Sequence, residues 1–179
     1  MKKLSLILIL SGVALAGNIN TNNIHINIKV GGNIGKSNVD LSNIEKENGD
    51  LGYEIGLGVN LDIKKIRISY DVLYGVNIGK YKEKILDIER KDRYENIKNV
   101  VQLKYDVFEE DGAKLYVTGG LYYAYSLKEK YNDNYGLTMG VELKYKNNIN
   151  LYFRYDKALN EIEDYKKLDV VNLGVGYEF

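Results

Sequence analysis

Alternation of apolar and polar residues, repeated in eight runs between Ile24 and Phe179, constrains this chain more than any other feature. A side-chain period of two marks a β-strand whose faces meet different surroundings. The run Leu51–Leu61 sets Leu51, Tyr53, Ile55, Leu57, Val59 and Leu61 against Gly52, Glu54, Gly56, Gly58 and Asn60. In a soluble sheet the second row would face water, yet glycine weakens a strand interior and marks crowding or close approach. Which row is buried is decided by the rest of the chain.

The same alternation recurs in Ile24–Ile34, Ile66–Ile78, Ile97–Val107, Leu115–Leu127, Tyr135–Tyr145, Ile149–Asp156 and Val171–Phe179. Four residues break it: Asn99 and Gly119 sit on apolar faces, Leu73 and Val100 on polar ones. A tilted strand crosses a bilayer in about 9 to 11 residues, close to the length of these runs. Short connections near Lys64, between Glu109 and Lys114 and near Asn147 alternate with longer, charged ones at Lys36–Asp50, Gly79–Asn96, Lys128–Asn134 and Ala158–Lys167. The pattern predicts an all-β fold, an eight-stranded antiparallel up-and-down transmembrane β-barrel with its short turns at one end and its long loops at the other.

In such a barrel the apolar row faces lipid. The reverse assignment would place Arg67, Lys104, Lys144 and Arg154 in lipid at about 2 to 4 kcal/mol each near the midplane. Eight strands enclose an interior that side chains fill, so a polar plug is expected there. Its expected members are Glu54, Arg67, Asp71, Lys104, Asp106, Glu142, Lys144, Arg154 and Asp156, with Lys98 beside them. The chain has 17 tyrosines and no tryptophan, and on the outward rows aromatics gather toward the run ends. Tyr53, Tyr74, Tyr125, Tyr135 and Tyr155 form the expected girdle at the long-loop end, Tyr105, Tyr145 and Tyr177 the one at the short-turn end.

Lys2 and Lys3 precede an apolar run from Leu4 to Leu15, and Ala14-Leu15-Ala16 offers a small-x-small cleavage site. Residues 1–16 are therefore expected to be a signal peptide and residues 17–179 the barrel domain. The absence of cysteine excludes disulfides, thiolate metal sites and a lipoprotein anchor. With 25 basic and 25 acidic side chains the net charge is zero, and no nucleic-acid partner is expected.

Gly31–Ser37, GGNIGKS, fails as a phosphate-binding loop because Val30 stands where the first glycine is required and no amphipathic helix follows. The single histidine, His25, lies near the short-turn start of the first run, and general-base work needs a positioned partner. It is expected to be a hydrogen-bonding group of the interior. One histidine and scattered carboxylates make no recognisable ligand set. Neither catalysis, nor a cofactor, nor a metal site is expected.

The last run ends in NLGVGYEF, in which Gly174, Tyr177 and Phe179 resemble the C-terminal signal read by the outer-membrane barrel assembly machinery. With the leader and the eight runs, it makes the chain resemble the small outer-membrane barrels: the OmpA transmembrane domain, outer membrane protein X and the opacity-protein group. The resemblance spans the mature chain in pattern and architecture, with tyrosine where those girdles carry tryptophan. It implies a monomer in the cell outer membrane, contact with membrane lipid and lipopolysaccharide, and a structural or adhesion-like role toward host or cell-surface ligands. The lipid A acyltransferases and deacylases of similar size pair histidine with serine or carboxylates near the outer end, an arrangement His25 does not match. The segment from Lys80 to Asn96 is either a protruding hairpin resembling that of outer membrane protein X or a solvated loop. Two other readings of the whole chain remain: a low-conductance, porin-like channel, and a soluble periplasmic ligand carrier of the lipocalin kind.

Overall fold

The computed structural model describes residues 23–39, 44–83, 88–162 and 166–179; the expected signal peptide over 1–16 lies outside them. Eight strands follow one another: β1 (Ile24–Val39), β2 (Ile44–Ile63), β3 (Ile66–Glu83), β4 (Ile88–Glu110), β5 (Ala113–Ser126), β6 (Asn134–Lys144), β7 (Ile149–Ala158) and β8 (Lys166–Glu178). Each pairs antiparallel with the next, and β8 returns to β1 to close the barrel. Closure leaves no free edge around the wall.

The short turns are tight. Asp111 and Gly112 both take positive φ, 49° and 79°, between β4 and β5, the conformation that favours an Asp-Gly pair in a two-residue hairpin turn. Lys64 and Asn148 also take positive φ in the β2–β3 and β6–β7 connections.

The apolar row of β2 faces outward and its polar row inward: Leu57 is 58% exposed, Glu54 1%. The same holds around the wall, where Ile28, Leu103, Leu121, Val141, Leu151 and Leu173 all lie on the outer surface. The four breaks in alternation have distinct outcomes. Leu73 and Val100 are buried inside against Tyr122 and Ala124, forming an apolar layer across the interior. Asn99 is bonded by the Tyr70 hydroxyl at 2.7 Å, and a side chain at Gly119 would meet open space.

Several strands run farther than the alternating pattern indicates. β2 begins at Ile44 rather than Leu51, and β3 and β4 stay paired as far as Glu83 opposite Ile88. The Gly79–Asn96 connection is thus a hairpin over most of its length; residues 84–87 lie outside the described residues. The backbone ladder continues there although apolar alternation stops, because alternation records two different environments and that contrast is absent beyond a bilayer. At 18 and 23 residues, β3 and β4 exceed by far the about 9 to 11 needed to cross.

Candidate functional site

The interior is filled by charge. Lys29, Arg67, Lys98, Lys104 and Arg154 are buried there with Glu54, Asp71, Glu142, Asp156 and Glu178. Among the described residues these are five cations and five anions, so that set is neutral. Unpaired burial would cost several kcal/mol per ion, and paired geometry offsets that cost.

Strand register sets the pairs. At mid-height Lys29 on β1 donates to Asp71 on β3 at 2.7 Å, and Lys104 on β4 to Glu142 on β6 at 2.6 Å. Nearer the long loops Arg154 on β7 bridges Glu54 on β2 at 2.7 Å and Asp156 at 3.0 Å, while Lys98 on β4 donates to Asp156 at 2.8 Å. Toward the short turns Glu178 on β8 accepts from Arg67 at 2.7 Å and Asn60 at 2.9 Å, and also from Lys144. Arg67 is held from its other side by Asp62. Inward-facing tyrosines roof the cations: Tyr116 lies over Arg67 at 5.2 Å, and Tyr152 over Lys29 at 5.6 Å.

Toward the long loops the character changes. Above the Leu73, Val100, Tyr122 and Ala124 layer, Tyr94, Tyr131, Ile162, Leu168 and Val170 form a second apolar cluster across the mouth. Tyr94 and Tyr131 meet edge to face at 5.5 Å. The two loops that supply Tyr131 and Ile162 are tied together, Asn132 N donating to Ile162 O at 2.7 Å and Asn160 Nδ2 to Asp133 O at 2.6 Å. Within the charged layer, a cavity of about 10 Å³ is lined by Lys29, Gln102, Thr118, Glu142, Tyr152 and Arg154 among others, the room of a single water.

Of the residues singled out from sequence for the interior, Glu54, Arg67, Asp71, Lys104, Glu142, Arg154 and Asp156 come together in these clusters, with Lys98. Lys144 is partly exposed and reaches in only as far as Glu178. Asp106 is not brought in: it is the last residue in register before the β4–β5 bulge, opposite Tyr116 near the short-turn end, and it stands half-exposed without an ion pair among the described residues. Lys29, Glu178 and the inward tyrosines were not singled out for this network. Their parity with the polar rows is the signal that finds them.

Tyr53, Tyr105, Tyr125, Tyr135, Tyr145 and Tyr177 are exposed on the outer wall, with Tyr74 and Tyr155 half-buried beside polar partners. Tyr74 donates to Glu95 at 3.2 Å and Tyr155 to Asp169 at 2.9 Å. Gly174 lies on the inner side of β8, whereas Tyr177 and Phe179 stack edge to face outside at 5.0 Å. His25 stands half-exposed at the short-turn end, its Nε2 3.5 Å from Asp62 and its Nδ1 3.8 Å from Glu178. Both carboxylates are already engaged by Arg67. Among the described residues, no three His, Asp or Glu side chains converge in a way that would hold a metal ion.

Comparison with known proteins agrees with this architecture. Neisserial surface protein A superposes with a TM-score of 0.51 at 15% identity, covering 86% of this chain and 97% of that one. Ail, the attachment invasion locus protein of Yersinia pestis, gives 0.50 at 14% identity over 87% and 98%. At such identities the likeness is one of fold. No curated protein matches the sequence. The model of the outer membrane protein beta-barrel domain matches residues 5–179, nearly the whole chain, and the chain belongs to that family.

Proposed function

We propose that the protein is a closed outer-membrane barrel whose work is done on its surface, through contacts of its long loops with host molecules or neighbouring cells. The observation that carries this reading is the β3–β4 hairpin, which stays paired to Glu83 opposite Ile88 and so continues as a two-stranded arm well past the length needed to cross a bilayer. β2 accompanies it from Ile44, so the arm is broadened to three strands over part of its length. Inside, among the described residues, a lattice of paired charges lies under two apolar layers, which favours surface contact over transport. A soluble carrier would need an apolar interior for its ligand, the opposite of the distribution found.

On this reading the short turns face the periplasm and the long loops the exterior. The outer wall meets membrane lipid, with lipopolysaccharide around the long-loop girdle, and the mature barrel is a monomer. The leader over 1–16 directs export, and Gly174, Tyr177 and Phe179 present the chain to the barrel assembly machinery. Ail, which shares the fold, is by name an attachment protein, and that analogy supports the surface role.

Replacing residues 81–92 by a short turn tests the reading. The trimmed barrel is expected to keep its heat-modifiable gel band and to show no steady current in planar bilayers. Cells displaying it should lose adherence to host-cell or neighbouring-cell surfaces. Unchanged adherence would reject the role of the arm, and reproducible open-channel current from the full barrel would reject a closed lumen.

A further inference from the structure

The closing seam between β1 and β8 joins the two ends of the domain, and its inner face is poor in side chains. Lys29, Gly31 and Asn33 on β1 stand opposite Gly176, Gly174 and Asn172 on β8. Glycine-rich pairings specify register weakly and are prone to slip. The ladder runs from Asn27 opposite Glu178 to Val39 opposite Lys166, and side chains that span its glycine-rich stretch can add to what fixes its register.

A row of direct register partners crosses this place. Tyr152 on β7 faces Gly174 on β8, Gly174 faces Gly31 on β1, and Gly31 faces Glu54 on β2. Three inter-strand steps, about 14 Å in all, separate the first residue from the last. The tyrosine lies along the row. A Cβ added at Gly31 would stand 2.6 Å from the Tyr152 hydroxyl, and one at Gly174 would fall on the Tyr152 ring carbon Cζ and the same hydroxyl. That hydroxyl donates to Glu54 Oε1 at 3.0 Å, while Glu54 Oε2 accepts from Arg154 Nη2 at 2.7 Å. β7 therefore grips β2 by two hydrogen bonds passing over the two strands that make the seam.

We propose that Tyr152 is a strap across the closing seam, that Gly31 and Gly174 are its seat, and that fastening it to Glu54 fixes the β1–β8 register. Toward the short turns Glu178 supplies a second fastening, reaching from β8 past β1 to Asn60 on β2 and Arg67 on β3. The ending NLGVGYEF thus divides by face. Gly174 and Glu178 serve closure of the barrel from inside, and Tyr177 and Phe179 remain outward.

Tyr152→Phe keeps the ring and removes only the hydroxyl, so the barrel should still refold in detergent. Amide hydrogen exchange, resolved by residue, is expected to quicken about tenfold in β1 and β8 while the β3–β4 hairpin holds its rate, since local opening is governed by local bonds. No change at the seam, or an equal quickening in all strands, would overturn the strap. A double-mutant cycle supplies an independent arm. Gly31→Ala brings its methyl against the hydroxyl and, at 2.9 Å, against the Leu173 carbonyl, so its effect on seam exchange should shrink in the Tyr152→Phe background by the share due to the hydroxyl while the backbone contact remains. Strictly additive effects would show that Gly31 is not a seat for Tyr152.

Discussion

Arg154→Ala is expected to destabilise the barrel by about 3 to 5 kcal/mol, the usual cost of removing one member of a buried ion pair. The side chain bridges Glu54 and Asp156, which belong to different parts of the wall and are both fully buried. Lys98 contacts both carboxylates but cannot replace a guanidinium that donates to the two at once. Urea unfolding of the refolded barrel, followed by tyrosine fluorescence and the heat-modifiable band, reads the effect. Lys114→Ala, at an exposed pair with Glu109 beside a turn, is the control and should change stability by less than about 1 kcal/mol. Equal losses in the two variants would mean that the interior charges are solvated singly and form no lattice.

Phe179→Ala is expected to separate folding from assembly. Outside the barrel, Phe179 contributes a ring edge-to-face with Tyr177 and a backbone bond from its N–H to Ile26 O at 2.8 Å. Losing the aromatic pair costs about 0.5 to 1.5 kcal/mol beyond the area of the ring, and the backbone bond survives the change. Such a barrel should refold in detergent. In cells, under the proposal that Tyr177 and Phe179 are read by the assembly machinery, most of the protein should fail to reach the surface and be degraded. Protease shaving of the long loops measures this, and wild-type surface levels would reduce Phe179 to an ordinary strand residue.

Strand number, the inward and outward rows and the order of the barrel were legible because lipid and a crowded polar interior impose opposite demands on alternate residues. Leu57 and Glu54, three apart, could be assigned to their faces from the pattern alone. The partners could not. Glu178 meets Arg67 across 111 positions of sequence, and the row from Tyr152 to Glu54 exists only once the stagger of eight strands is set. Inward tyrosines were hidden for another reason: tyrosine suits both an interface girdle and a roof over a cation, and composition does not separate the two. Leu73 and Val100 looked like flaws of alternation until packing made them a layer with Tyr122 and Ala124. Strand ends stayed undecided where the pattern had no bilayer to record, as in the β3–β4 arm, for which the sequence allowed a protruding hairpin and a solvated loop alike and the ladder shows the hairpin.

A barrel of this kind requires its apolar row to be bathed in lipid. The chain has no tryptophan, so Leu57→Trp installs a single probe on the outer wall at a position 58% exposed. Refolded into liposomes whose acyl chains carry bromine, this variant is expected to be strongly quenched by the lipid and barely quenched by acrylamide in the surrounding water. Efficient quenching by acrylamide with none from the brominated chains would place Leu57 in water and contradict the account.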